Sequence, residues 1–268
     1  LSFNPLDLQR KHMQRRKTKI KTRPLCAAVT IALALSACAT TLKQAQQSDP
    51  WQDWNKSTQA FNDDFDKHIL KPVAVSYLHV TNKAVDDGVT NFFNNINDIN
   101  VSINDIFQFK FLQCGSDISR FLINSTAGLG GIFDWASRLD LPKHKEDFGQ
   151  TLAVWQIPSG PYLVLPFMGP STPRETLGLL GDALLDPMTY ISIFGGFPGF
   201  IATAATTALD IADYRAGLMS KEKVVNEADI GDRYDFIKDS YLQHREFLIY
   251  DGNPPNIKDP LDNKDNDF

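Results

Sequence analysis

Apolar residues recur at helical spacing along most of this chain. Trp51, Trp54, Phe61 and Phe65 mark a first amphipathic helix, with Asp49 suited to cap it and Pro50 to open it. After Lys71-Pro72 the positions Val73, Tyr77, Val80 and Val85 predict a second helix, and Val89, Phe92, Phe93 and Ile96 begin a third. Residues 101–109 alternate enough for a strand, but Ile99, Ile103, Ile106 and Phe107 share a helical face, and we read a helix there. Another is predicted over Asp117–Thr126, with Ile118, Phe121 and Leu122 on one side and Arg120 among them, either as a surface group passing apolar neighbours or as a ligand group. The last spans Ile230–Ile249, its stripe being Tyr234, Ile237, Tyr241, Leu242, Leu248 and Ile249. The fold class is therefore mainly α.

Two segments break the periodicity. From Gly149 to Pro173 the chain carries no charge and is rich in Gly and Pro, which breaks long helices. It reads either as a buried loop with one short strand or as a loop seated against a membrane or a porin partner. From Pro187 to Leu209 there is again no charge, a length sufficient to cross a bilayer, but 195–199 (Gly-Gly-Phe-Pro-Gly) favours a bent pair of short apolar helices. A core hairpin of a soluble protein is the plain alternative.

The N-terminal pattern differs from all of these. A basic run from Arg15 to Arg23 precedes an apolar stretch from Leu25 to Leu35, and Leu35-Ser36-Ala37-Cys38 resembles the lipobox of a bacterial lipoprotein signal peptide. An eleven-residue apolar core is too short for a transmembrane anchor. Cys38 is accordingly expected to carry diacylglycerol after cleavage before it, and Ala39, in place of an aspartate, favours the outer membrane. Leu1 is not a usual initiator and Met13 directly precedes the basic run. Residues 1–12 thus read as an upstream extension, 13–37 as the signal peptide, 38–48 as a lipidated tether, 49–252 as the helical domain and 253–268 as a disordered tail.

Processing at Cys38 would alter the charge balance. Residues 1–37 hold eight Lys or Arg and one Asp, which leaves 19 basic against 31 acidic residues and a formal charge of −12. A polyanion gains no counterion-release advantage on nucleic acid, so nucleic acid is excluded as a partner class. Attachment to a membrane would rest on acyl chains and apolar surface, at about 0.8 kcal/mol per buried CH2. Cys114 is the one other cysteine of the processed chain, so no intramolecular disulfide is expected, and the scattered histidines His68, His79, His144 and His244 offer no zinc site. A lipid hydrolase would need an activated nucleophile. The chain has no G-x-S-x-G elbow and no H-E-x-x-H, so no enzyme and no cofactor are expected.

The central stretch carries a more specific likeness. Gly160-Pro161-Tyr162, Leu165-Pro166-Phe167 and Gly169-Pro170-Ser171-Thr172, followed by Arg174, resemble the signature of the MlaA (VacJ) family of outer-membrane phospholipid-transport lipoproteins. Asp49-Pro50 with Asn55 and Phe61-Asn62 is similar to the family's opening segment; Arg120-Phe121, Asn124, Gly128, Gly130-Gly131 and Asp134 match its second block; Phe148-Gly149 and Thr151-Leu152 open the third. Asp182, Asp186-Pro187, Tyr241, Gln243 and Arg245 follow in family order, so the likeness covers about residues 49–249. Departures are Glu175 for a usual aspartate, Gln156 for a common glycine, Lys238 for arginine, and His244-Arg245 for a firmly basic pair.

The resemblance implies a ring-like bundle of amphipathic helices seated in the outer membrane, with a central channel for the heads of mislocalised outer-leaflet phospholipids. It implies partners as well: trimeric porins, and a soluble periplasmic carrier that feeds an inner-membrane ABC transporter complex in the retrograde direction. No catalysis and no cofactor are implied. A non-transporting envelope scaffold or porin-associated structural lipoprotein is the alternative function. Arg174 and Glu175, with Arg120, are the candidates for forming or holding the phospholipid passage. The plain alternative is that Arg174 and Glu175 only anchor a helix over Thr176–Leu185.

Overall fold

The computed structural model describes residues 49–227 and 232–255, without the side chains of 220, 221 and 223–227. The predicted extension, signal peptide and tether, Cys38 among them, lie outside the described residues, as do 228–231 and all of the predicted tail beyond Pro255. The described part is α1 (Gln52–Phe65), a π-helical turn (Asp66–Leu70), α2 (Lys71–Val80), α3 (Lys83–Phe107), α4 (Phe111–Thr126), α5 (Phe148–Val154), β1 (Leu163–Leu165), β2 (Gly169–Ser171), α6 (Pro173–Leu185), α7 (Pro187–Phe194), α8 (Gly196–Glu227) and α9 (Arg233–Ile249). The mainly helical expectation is met.

Local chemistry sets most boundaries. Side-chain oxygens of Asn82, Asp147, Thr172, Asp186 and Asp232 accept from backbone N–H groups in the first turns of α3, α5, α6, α7 and α9. Pro173 and Pro187 then occupy first helical positions, where a missing N–H costs nothing. Three expectations need correction. Asp49 does not cap α1; its backbone is left-handed, φ 40°, and its carboxylate accepts from Tyr234 Oη at 2.8 Å and Lys238 Nζ at 3.2 Å. Val85 belongs to α3, because Thr81 is extended and Asn82 starts a new helix. The predicted third helix and the ambiguous 101–109 segment are one continuous α3.

Helix α3 packs along α4 as a hairpin, α5 packs against α6, and α8 turns back on α7 while also touching α2 and α3. The bend predicted within 187–209 is found at Gly195-Gly196, although α8 is far longer than a short apolar helix. Glycine is needed where α5 meets α6: a Cβ on Gly178 would lie 2.6 Å from the backbone N of Gly149. Among the described residues no single helix is long and apolar enough to cross a membrane; α6 and α7, bent by 62° at Asp186, together have the length and composition.

The uncharged central stretch folds into α5 and an antiparallel hairpin, with Leu163 opposite Ser171 and Leu165 opposite Gly169. Among the described residues strand β1 has no third strand beside it, and α1 supplies the missing partners. Asn55 donates to Tyr162 O at 3.0 Å and accepts from Val164 N at 2.8 Å. One stripe further along, Asn62 donates to Leu165 O at 2.9 Å and accepts from Phe167 N at 2.7 Å. Two asparagines seven residues apart lie on one helix face and so act as a surrogate strand edge. Gln156, at a common glycine position, takes φ 64°, the left-handed conformation that glycine adopts without cost.

Candidate functional site: a polar interior inside an apolar exterior

The usual distribution of side chains is inverted in much of this fold. Buried polar and charged residues outnumber buried apolar ones among the described residues. Helix α4 shows this most clearly, burying Cys114, Asp117, Arg120 and Asn124 while Leu112, Ile118 and Leu122 face outward, Leu112 at 95% exposure. Outward apolar side chains continue over α6 to α8, including Leu180, Phe194 and Phe197. Apolar packing is confined to small clusters, one joining Ala74 and Tyr77 of α2 to Ala212 and Ala216 of α8, another joining Tyr162 and Val164 to Tyr234.

A cavity of about 700 Å³ lies between α3, the α6–α7 junction and α8. Asn94, Asn97 and Asn100 present one α3 face to it, opposite Asp182, Asp186, Asp210 and Asp213, and among the described residues no Lys or Arg lines it. Periodicity explains the α3 face, since residues three apart share one side of a helix. Asp213 is held by Tyr77 Oη at 2.9 Å and Thr90 Oγ1 at 2.8 Å, and Asp182 accepts from Asn100 at 3.2 Å and Phe148 N at 2.9 Å. A second cavity of about 460 Å³ lies between α1, the hairpin, α8 and α9, with Arg215, Arg233, Asp63 and Asp66 among its lining residues and Tyr162, Phe167 and Phe236 among its apolar walls.

Arg120, Arg174 and Glu175 are all buried, and none of them lines the large cavity. Arg120 is therefore not a surface group. Its guanidinium donates to Asp134 Oδ2 at 3.1 Å and Leu141 O at 2.5 Å, with Asp98 Oδ2 3.7 Å from Nε. Burial pushes the Asp134 carboxyl up, but donors from Ser137, Asn124 and Arg120 outweigh it and bring the pKa down to about 2. Arg174 donates through Nε and Nη2 to Glu175 at 3.0 and 2.7 Å; the other Glu175 oxygen accepts from Arg245, which also holds Asp147 at 2.5 and 2.9 Å. This ion-pair chain ties α5, α6 and α9 together. Glu175 and Asp182 line the same small cavity of about 120 Å³, and Asp182 also faces the large one.

The structure also supplies groups that periodicity did not single out. Among them are the α3 asparagines, whose recurrence at 94, 97 and 100 is the signal present in the sequence. Between α3 and α4, Asp105 and Asp117 are fully buried, and Asp105 Oδ2 and Asp117 Oδ1 each lack a donor among the described residues. Burial, then a hydrogen bond and repulsion from Asp117, push the Asp105 carboxyl up to about 8. His244 is exposed, and Arg245 alone of that pair enters the ion-pair chain. Among the described residues no group of acidic, His and Cys side chains is arranged to hold a metal.

Comparison with known proteins places this architecture. The MlaA lipoprotein family profile matches residues 47–248. The intermembrane phospholipid transport system lipoprotein MlaA of Haemophilus influenzae is 27% identical over 251 residues, covering 90% of this chain and 96% of the relative. The protein of the same name in Escherichia coli K12 is 24% identical over 238 residues, 87% of this chain and 90% of the relative. An uncharacterized protein of Rickettsia conorii is 37% identical over 143 residues, so the match spans little more than half of either chain, 53% and 57%. A solved structure described as the structural basis for maintenance of bacterial outer membrane lipid asymmetry superposes with a TM-score of 0.64 at 25% identity, covering 75% of this chain and 98% of the other. The family match extends over most of the described helices, cavities and ion-pair clusters, and the chain belongs to the MlaA (VacJ) family of outer-membrane phospholipid-transport lipoproteins.

Proposed function

We propose that the protein removes mislocalised phospholipid from the outer leaflet of the outer membrane and passes it toward the periplasm, maintaining lipid asymmetry. The observation that carries this reading is the polar cavity of about 700 Å³ inside a fold whose apolar side chains face outward. A phospholipid can leave its tails in hydrocarbon, but taking its charged head into a low-dielectric interior costs on the order of 20 kcal/mol for each bare ion. Asparagine amides, threonine hydroxyls and carboxylates along the cavity replace the lost hydration at the point where the head must cross. The outward Leu, Ile and Phe side chains then meet lipid tails, so the fold sits as a ring within the bilayer, anchored by lipid on Cys38. Membership of a family of transport lipoproteins, and not of enzymes, agrees with this.

Arg174, Glu175 and Arg120 hold the passage instead of lining it. The Arg174–Glu175–Arg245–Asp147 chain fixes the start of α6 and thereby Asp182, while Arg120 fixes α4 against α3, the helix that carries the cavity asparagines. A trimeric porin is the proposed neighbour in the membrane, and a soluble periplasmic carrier feeding an inner-membrane ABC transporter complex is the proposed acceptor. The test is complementation of a Gram-negative strain lacking its own such lipoprotein, with outer-leaflet phospholipid measured by surface labelling. Clearance supports transport. A protein that is abundant, outer-membrane located and porin-associated yet clears no lipid is a scaffold, and the proposal falls.

A further inference from the structure

Among the described residues the two cavities share one lining residue, Leu218. On one side of it α8 presents Asp210, Asp213 and Tyr214 to the large cavity; on the other it presents Arg215 and Glu222 to the second. Resting on the transport reading, we infer that the cavities are consecutive chambers of one path and that the Leu218 side chain is the partition a lipid head group must displace to pass between them.

Three observations carry this. Leu218 is half-buried and apolar at a place where both adjoining spaces have charged walls, so it supplies no binding energy to a polar head and acts by occupying space. Helix α8 is fixed on both flanks of it: Asp213 by Tyr77 and Thr90, Arg215 by Asp66 at 2.5 and 2.8 Å, and Glu222 by Arg215 at 2.7 Å and Lys71 at 3.0 Å. With the backbone tied to α2, α3 and the π-helical turn, opening is left to rotation of the side chain, which takes place in picoseconds to nanoseconds for an unhindered leucine. The chambers also differ in charge. Among the described residues the charged groups of the first are all carboxylates, set among amides and hydroxyls, which suit an ammonium group; the second adds the guanidinium groups of Arg215 and Arg233, which suit a phosphate. A zwitterionic phospholipid head has both groups, and is the substrate class the pair of chambers fits.

The test uses the full-length protein in the complementation strain, with Leu218→Trp, Leu218→Ala and Leu218→Cys, the last carrying Cys114→Ser. Leu218→Trp is expected to lose lipid clearance at normal abundance and outer-membrane location, while Leu218→Ala clears at least as well as the parent. Should the tryptophan variant fail to accumulate, Leu218→Cys decides: it clears lipid until a bulky thiol reagent is added, then stops, while the Cys114→Ser parent is unaffected. Clearance by Leu218→Trp equal to wild type, or by thiol-modified Leu218→Cys equal to the untreated protein, overturns the partition. Failure of the wild-type protein itself to clear lipid overturns the transport reading instead, so the two failures are distinguishable.

Discussion

Replacing Arg120 by alanine separates a structural role from direct handling of phosphate. Arg120 is 2% exposed and Asp98 1% exposed, so removal of the guanidinium leaves Asp98 with Lys143 alone and takes from Asp134 its charged partner, leaving it to Ser137 and Asn124. It also frees Leu141 O and vacates the space of a large side chain. Breaking a buried ion pair by deleting one member costs about 3–5 kcal/mol. For a domain of this size each kcal/mol corresponds to about 2–4 °C, so the unfolding midpoint should drop by on the order of 10 °C. The assay is thermal unfolding of the full chain in detergent, followed by circular dichroism at 222 nm, for wild type, Arg120→Ala, Asp134→Asn and the double variant. A coupling energy of about 0.5–3 kcal/mol between the two sites is expected, because each single change removes the same contact. An Arg120→Ala protein that melts within about 0.5 kcal/mol of wild type, the range of an ordinary surface change, would refute the bracing role.

Other outcomes follow from the same contacts. Asn55→Ala should lower stability by about 1–3 kcal/mol for each backbone group left unpaired, Tyr162 O and Val164 N, and speed hydrogen exchange in β1 specifically. Stability should fall as pH rises from about 4 to 8 through Asp105, because its carboxyl titrates at about 8 when folded against an ordinary 3.8, and in that window the unfolded chain binds fewer protons. Asp105→Asn should flatten that slope; an unchanged slope would show that another group sets it. Cys38→Ser should leave an uncleaved, unlipidated precursor, read by mass spectrometry of the N-terminal peptide; normal lipidation elsewhere would move the anchor.

Helix existence was legible because the spacing of apolar residues and the capping pairs Thr172-Pro173 and Asp186-Pro187 are local signals. Which face of each helix turns inward was not. An apolar stripe shows where a helix meets something apolar, and periodicity cannot distinguish a protein core from a lipid phase. Ile118 and Leu122 were thus recognised as a stripe while Arg120 and Asn124 carry the interior. The Asn55 and Asn62 clamp on β1 was equally invisible from spacing, since it depends on a contact made more than a hundred positions away. Arg245 stands out in the sequence only as part of a family pattern, and its partners Asp147 and Glu175 come from two other helices.

Filling the polar cavity tests whether it conducts lipid head groups. Ala183 lines the cavity from α6, and Leu209, exposed on α8, lines neither chamber. Outer-leaflet phospholipid should be measured in the complementation strain carrying wild type, Ala183→Trp or Leu209→Trp at matched outer-membrane abundance. The account predicts clearance by wild type and by Leu209→Trp, and retention of outer-leaflet phospholipid with Ala183→Trp. Equal clearance by all three proteins would contradict it.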